Sequence, residues 1–189
     1  RKDYLLYGPL KVIKTYSDSS LSILNGMFCS YRPDGSIKLS GHYVNNKMEN
    51  EWYRYNDTGK VILIENYVAD SLVNSKIPDT TNDDKLETLK EREKEAAYIG
   101  GNAALKKFLI KNINAALAEK SAKGGQVRVA FKMDTVGKVT LYHLRKSVEF
   151  ILDEEALRVI GKMPDWIPAE QEGKKVNAYR IQPLTFAVN

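Results

Sequence analysis

Phe150 to Pro168 reads FILDEEALRVIGKMPDWIP, and here helix signals, a stop and an aromatic-proline turn follow one another closely. Asp153 is a good N-cap, and Glu154 and Glu155 put negative charge in a first turn, where the helix dipole favours it. Ala156, Leu157, Ile160 and Met163 recur at helical spacing and share one face. The pattern predicts a helix from Asp153 to about Gly161–Met163, because Pro164 cannot continue it. Trp166 and Pro168 then make a stiff apolar exit, with Trp166 as a plug between helix and sheet.

Working outward, a Gly173-Lys174 turn leads into a terminal run from Tyr179 to Val188. Tyr179 and Ile181 set one parity, but beyond Pro183 the apolar residues are Leu184, Phe186 and Val188. That slip predicts a bulge at Pro183, and a proline without an N–H is tolerated mainly at an edge or a bulge, so one side of this strand is expected to be unpaired. Upstream, Gln126 to Met133 alternates, with Val127, Val129, Phe131 and Met133 on one side; a turn at Asp134 to Gly137 leads to Lys138–Leu144, making an antiparallel hairpin. Before it, Gly100-Gly101 breaks the chain and Asn102 is expected to cap a helix in which Leu105, Phe108, Leu109, Ile113 and Ala116 face a sheet. Residues 99–189 are thus expected to be a small α+β domain with an antiparallel sheet and two helices.

The run LDEEALRVI, then K-M-P-x-W-x-P, a Gly-Lys turn and a proline-interrupted last strand resembles the C-terminal domain of TonB, the periplasmic energy transducer, over about Tyr98 to Asn189. The resemblance implies a protein-interaction module that takes an extended peptide of an outer-membrane receptor as an extra strand. The corresponding residues are Tyr179, Arg180, Ile181, Gln182, Leu184, Thr185 and Phe186. It also implies a periplasmic location, with any anchor lying before Arg1, and the same terminal strand could pair two copies as a homodimer. Open edges recognise partners through unpaired N–H and C=O groups, with alternate side chains supplying specificity.

Residues 1–70 repeat themselves with a period of 24: Phe28 matches Trp52, Tyr31 matches Tyr55, Gly35 matches Gly59, Leu39 matches Leu63 and Tyr43 matches Tyr67. Tyr4 and Tyr7 fit one period earlier, in a degenerate copy. Each unit reads as one β-hairpin around Pro33-Asp34-Gly35 or Asp57-Thr58-Gly59. A lone hairpin cannot bury its apolar face, so stacked copies should share a ladder built from Phe28, Tyr31, Trp52 and Tyr55. The pattern N-G-x-F-x-x-Y-x-x-D-G, Asn25 to Gly35, resembles the MORN-type repeats of scaffold and antitoxin-like proteins. That implies an alternative, non-enzymatic binding role carried by the repeats.

Residues 71–98 change character, with Pro78 and a polar run at Thr80–Asp84. They read as a linker, ending in a solvated helix with a thin stripe of Leu86, Leu89 and Ala96. The fold class is therefore α+β overall, all-β repeats followed by the small domain.

Composition narrows function further. Net charge is +5, distributed as +1 over residues 1–75, −2 over 76–98 and +6 over 99–189. The lysines of the last part are dispersed, so nucleic acid is not an expected partner. No apolar run is long enough to span a bilayer. The single cysteine, Cys29, cannot form an internal disulfide and is expected to be buried. His42 and His143 lack neighbours at metal-ligand spacing, Ser121 and Ser147 have no base that the sequence identifies, and the glycine pairs lack the Lys-Ser/Thr of a phosphate loop. No catalytic residue, metal or cofactor is expected, and the partner is expected to be a protein or peptide.

Overall fold

The computed structural model describes residues 1–5, 8–78, 93–118, 120, 121 and 124–187. Tyr7, Leu86, Leu89 and the Thr80–Asp84 run lie outside the described residues. The chain forms two compact units, Arg1–Asp79 with Lys146–Phe150, and Thr80–Arg145 with Ile151–Asn189. Strands dominate and helices gather in the second unit, so the class is α+β.

In the first unit β1 (Lys2–Tyr4), β2 (Leu10–Tyr16), β3 (Leu24–Tyr31), β4 (Ile37–Val44), β5 (Lys47–Tyr55), β6 (Val61–Val68) and β7 (Ser71–Lys76) form a seven-stranded antiparallel meander in chain order. The sequence period survives as a period in hydrogen bonding. Asn46 N–H donates to Leu24 O at 2.9 Å, while Asn46 Oδ1 accepts from Leu24 N–H at 2.6 Å. One period later Asp70 N–H donates to Met48 O at 3.1 Å and Asp70 Oδ1 accepts from Met48 N–H at 2.6 Å. The hairpin turns match too: Arg32 N–H to Ser36 O is 2.8 Å and Asn56 N–H to Lys60 O is 2.9 Å. Gly35 and Gly59 sit at φ +82° and +85°, a region that only glycine enters without strain.

Trp52, 1% exposed, is the centre of the aromatic cluster, with ring centroids 5.6 Å from Phe28, 5.1 Å from Tyr43 and 6.4 Å from Tyr67. It lies flat over Gly41, where a Cβ would fall 2.1 Å from the indole. Tyr31 and Tyr55 are also buried, beside the hairpin turns, and Tyr55 OH shares a 2.9 Å hydrogen bond with Ser40 Oγ. Cys29 is fully buried, as a small apolar side chain would be.

Two expectations about the middle of the chain are overturned. Ser71–Lys76, read as the start of a linker, is strand β7, because Leu72 continues the series Leu24 and Met48 and the chain begins another copy of the repeat. Glu93–Lys94, read as helix, is strand β8, held by pairing with Gln171 and Glu170; this tertiary pairing overrides a helical composition. The first unit also takes in Lys146–Phe150. Ser147 Oγ accepts from Leu10 N–H at 2.7 Å, Ser147 N–H donates to Gly35 O at 2.9 Å, and Phe150 meets Tyr4 edge-on at 5.5 Å.

The second unit contains α1 (Gly101–Asn112), α2 (Ala115–Ala118), β9 (Gly125–Met133), β10 (Val139–Lys146), α3 (Phe150–Gly161), β11 (Ala169–Gln171), β12 (Lys174–Val176) and β13 (Ala178–Phe186). One sheet has the order β10-β9-β13 and the other β12-β11-β8. Asn102 does not cap α1: Gly100, left-handed at φ +85°, takes that place with no side-chain bond. The helix ends where Ile113 turns extended, so Ala116 falls in α2. Asp153 does not cap α3 either. That helix begins at Phe150 and buries Asp153 completely in its first turn.

The buried face of α3 is Leu152, Ala156, Val159 and Ile160, continued by Met163, whereas Leu157 is only half-buried. Glu155 is not a solvated dipole charge; it binds Arg158 through two 2.7 Å contacts and accepts Asn114 N–H at 2.7 Å, tying α3 to the α1–α2 junction. Burial alone would raise its carboxyl pKa, but Arg158 and the Asn114 N–H outweigh that and hold it below the usual range. Val127, Val129, Phe131 and Met133 of β9 are all buried, as their alternation predicts.

Candidate functional site: the free edge of the last strand

β13 pairs with β9 without interruption, from Ala178 opposite Met133 to Phe186 opposite Gly125. The bulge expected at Pro183 is absent. The alternation never slips: Leu184 and Phe186 are buried on the same face as half-buried Arg180 and Gln182, while Tyr179, Ile181, Pro183 and Thr185 form the exposed face. The sequence misleads because Tyr179 and Ile181, 78% and 48% exposed, are apolar residues on the solvent side. Arg180 takes an inward position because its guanidinium lies 5.0 Å from the ring centroid of Trp166. A planar cation on an indole face is stabilised there although its neighbours are apolar.

β13 is the outer strand of its sheet, so its second edge faces no strand among the described residues. Pro183 fixes which backbone groups face that edge. A proline inside a register-perfect ladder stands where its nitrogen points away from the neighbouring strand. N–H direction alternates along a strand, so the N–H groups of Tyr179, Ile181 and Thr185 share that outward direction. The carbonyl of Pro183 agrees with this assignment, for it accepts from Gln182 Nε2 at 3.0 Å.

The strand rests on a firmly built support. Trp166, 2% exposed, contacts Tyr98 at 5.3 Å and Phe131 at 5.7 Å between ring centroids. Its backbone N–H donates to Gly137 O at 2.8 Å, and a Cβ on Gly137 would lie 1.9 Å from Trp166 O, so the β9–β10 turn and the Trp166 backbone lock together. Asp134 Oδ1 stabilises that turn by accepting from Val136 N–H at 3.0 Å and Lys138 N–H at 2.9 Å. Beside the start of β13 a cleft of about 360 Å³ opens, lined among others by Glu95, Ala96, Met133, Val176, Ala178 and Tyr179. Lys94 and Glu170 on its rim pair at 2.9 Å, and Arg180 lines it as well.

The residues expected to bind a partner thus divide. Tyr179, Ile181 and Thr185 present side chains to solvent; Arg180 and Gln182 are partly accessible; Leu184 and Phe186 are core and can offer a partner only backbone. Of the repeat aromatics, Trp52, Tyr31 and Tyr55 are buried and Phe28 is half-buried. The cleft, the Arg180–Trp166 stack and the Gln182–Pro183 contact escaped the sequence reading. The parity of Pro183 with Tyr179 and Ile181 was the available signal, since all three must lie on one face if the strand is regular.

His143 has its pKa pushed down to about 4, first by burial and then by Arg145, and so stays neutral. Ser147 serves the backbone bonds already described. Among the described residues no group of three or more His, Cys, Asp or Glu could hold a metal ion, and no helix is long and apolar enough to cross a membrane.

The second unit is a small α+β domain in which, among the described residues, β13 is the outer strand of an antiparallel sheet. Residues 116–188 match the family model described as Gram-negative bacterial TonB protein C-terminal. This covers α2 through β13 and supports a TonB-like protein-interaction domain, of a family that is periplasmic in Gram-negative bacteria. Neither a curated protein nor a solved structure matches the chain.

Proposed function

We propose that the protein is a non-enzymatic, periplasmic interaction module that binds an extended segment of an outer-membrane receptor by strand addition along the free edge of β13. The observation that carries this reading is the edge itself: nine residues paired in unbroken register on one side, with outward N–H groups at Tyr179, Ile181 and Thr185 on the other. The family match at residues 116–188 supports the choice of partner. Main-chain bonds supply affinity in such additions, so blocking the backbone should matter more than trimming side chains.

The test is calorimetric titration of the full chain with an extended receptor-type peptide. Ile181→Pro and Thr185→Pro each remove an outward donor and should abolish binding, while circular dichroism shows a retained fold. Parent-like binding by both folded variants would refute the edge as the site. Self-association through the same edge would appear as a dimer lost in both variants.

A second reading has its own observation. All six residues of β7 are exposed, and Val68, Leu72, Val73 and Ile77 stand more than half in solvent at that end of the repeat sheet. A scaffold or antitoxin-like role for the MORN-like repeats would use this surface. Partner capture that survives Ile181→Pro but is lost in Val73→Lys would favour it.

A further inference from the structure

We infer that the solvent face of α1 docks on an anionic lipid bilayer, with the helix lying flat at the level of the headgroups. Residues 101–112 precede the stretch matched by the family model, and the docking needs no strand added to β13. The helical repeat of about 100° per residue divides α1 into two sides. Leu105 is buried and Phe108 and Leu109 are half-buried on one side, while Ala103, Lys106, Lys107, Ile110 and Lys111 are exposed on the other. Ile110 stands 67% in solvent near the middle of that arc, with Lys106 on one flank and Lys107 and Lys111 on the other. A helix that only covers a core carries polar residues on its outer face, so Ile110 there is unexplained by the fold.

The charge of this face is of one sign. No Asp or Glu occurs from Ile99 to Ala118. Among the described residues none of the three lysines meets a carboxylate within ion-pair distance. Glu155, the acid that reaches the α1–α2 junction, is buried and held by Arg158, so it does not neutralise them. Lys111 in the last turn favours the helix C-terminus, but Lys106 and Lys107 stand a turn earlier and have no such role. A free anion would satisfy the cations and leave Ile110 in water. A bilayer takes both, because the lysine stems carry their ammonium groups among the phosphates while the isoleucine enters the acyl boundary. No described helix is long and apolar enough to cross a membrane, so α1 rests on the surface.

The full chain is mixed with vesicles of phosphatidylglycerol and phosphatidylcholine in equal parts, or of phosphatidylcholine alone, and the bound fraction is read by sedimentation. Binding to the mixed vesicles should be at least about tenfold stronger and should be largely lost in about 0.5 M salt. Lys106→Glu with Lys107→Glu should remove it, whereas the same charge change at exposed Lys174 and Lys175 of β12 should leave most of it. Ile110→Ser should weaken binding severalfold at unchanged charge. In Ile110→Trp the emission should shift to the blue on mixed vesicles, against a constant background from the buried Trp52 and Trp166. Circular dichroism verifies that each variant folds.

Absence of binding, equal binding to neutral vesicles, or equal loss in the two lysine pairs overturns the α1 face as the site. Binding that is unchanged in Ile110→Ser, with no shift in Ile110→Trp, makes the contact one of charge alone, as with an acidic protein, and overturns docking on a bilayer.

Discussion

The two tryptophans of the chain are almost equally buried, Trp52 at 1% and Trp166 at 2% exposure, yet their surroundings are assembled differently. Trp52 is enclosed by Phe28, Gly41, Tyr43 and Tyr67, residues from neighbouring strands of one meander and from positions that the repeat itself generates. Trp166 is enclosed by Tyr98, Phe131, Gly137 and Arg180, which come from four separate stretches and share no pattern. A repeat supplies its own neighbours by periodicity, whereas a non-repetitive domain brings them in from a distance. The first kind of core can be read along the sequence and the second cannot.

The largest effect that tests this contrast is truncation of the two rings. Trp52→Ala should cost about 3–5 kcal/mol, as for a buried large aromatic, and Trp166→Ala should cost a similar amount. Denaturant unfolding checks both. A Trp52 variant as stable as the parent would place that ring outside the load of the repeat core and end the contrast.

The paired glycines sharpen it next. Gly59 has nothing near a Cβ position, so Gly59→Ala should cost roughly 1–2 kcal/mol, the strain of a left-handed residue. At Gly35, the equivalent position, a Cβ would stand 2.0 Å from Ser147 O, so Gly35→Ala should cost clearly more in the same denaturation assay. Equal costs would mean that the repeat alone, and not the inserted Lys146–Phe150 segment, decides the first unit.

Acid should separate parent from variant by a smaller amount. The folded pKa of His143 is lowered to about 4 from an ordinary value of 6.5, so the unfolded chain binds the extra proton between them. Stability from this residue is full above about pH 6.5 and falls as pH drops towards 4, at no more than roughly 1.4 kcal/mol per unit. His143→Gln should flatten melting temperature against pH in that window; an unchanged slope would place the titration elsewhere.

The smallest expected change is in the stability of Ile181→Pro, whose outward N–H serves no ladder bond, so unfolding should shift by less than about 1 kcal/mol. Arg180→Pro removes a donor turned towards β9 and should cost about 3 kcal/mol. A reversal of that order would show that Pro183 had been misread as the marker of the free edge. Leu184→Pro should unfold the domain, because Leu184 is core.

Sequence by itself determined the elements whose partners lie nearby. The 24-residue period carried the hairpins, their glycine turns and the burial of Trp52, because a repeated local pattern imposes repeated local contacts. The alternation of Val127, Val129, Phe131 and Met133 likewise gave the face of β9. Tertiary structure decided what depends on distant partners. Strand β8 exists because β11 pairs with it, and Glu155 is buried because Arg158 and Asn114 neutralise it. On β13, hydropathy placed Tyr179 and Ile181 inward, whereas the unbroken ladder with β9 and the Trp166 face turned them out and drew Arg180 in. Backbone register moves a whole strand at once, so it outweighs the preference of any single side chain.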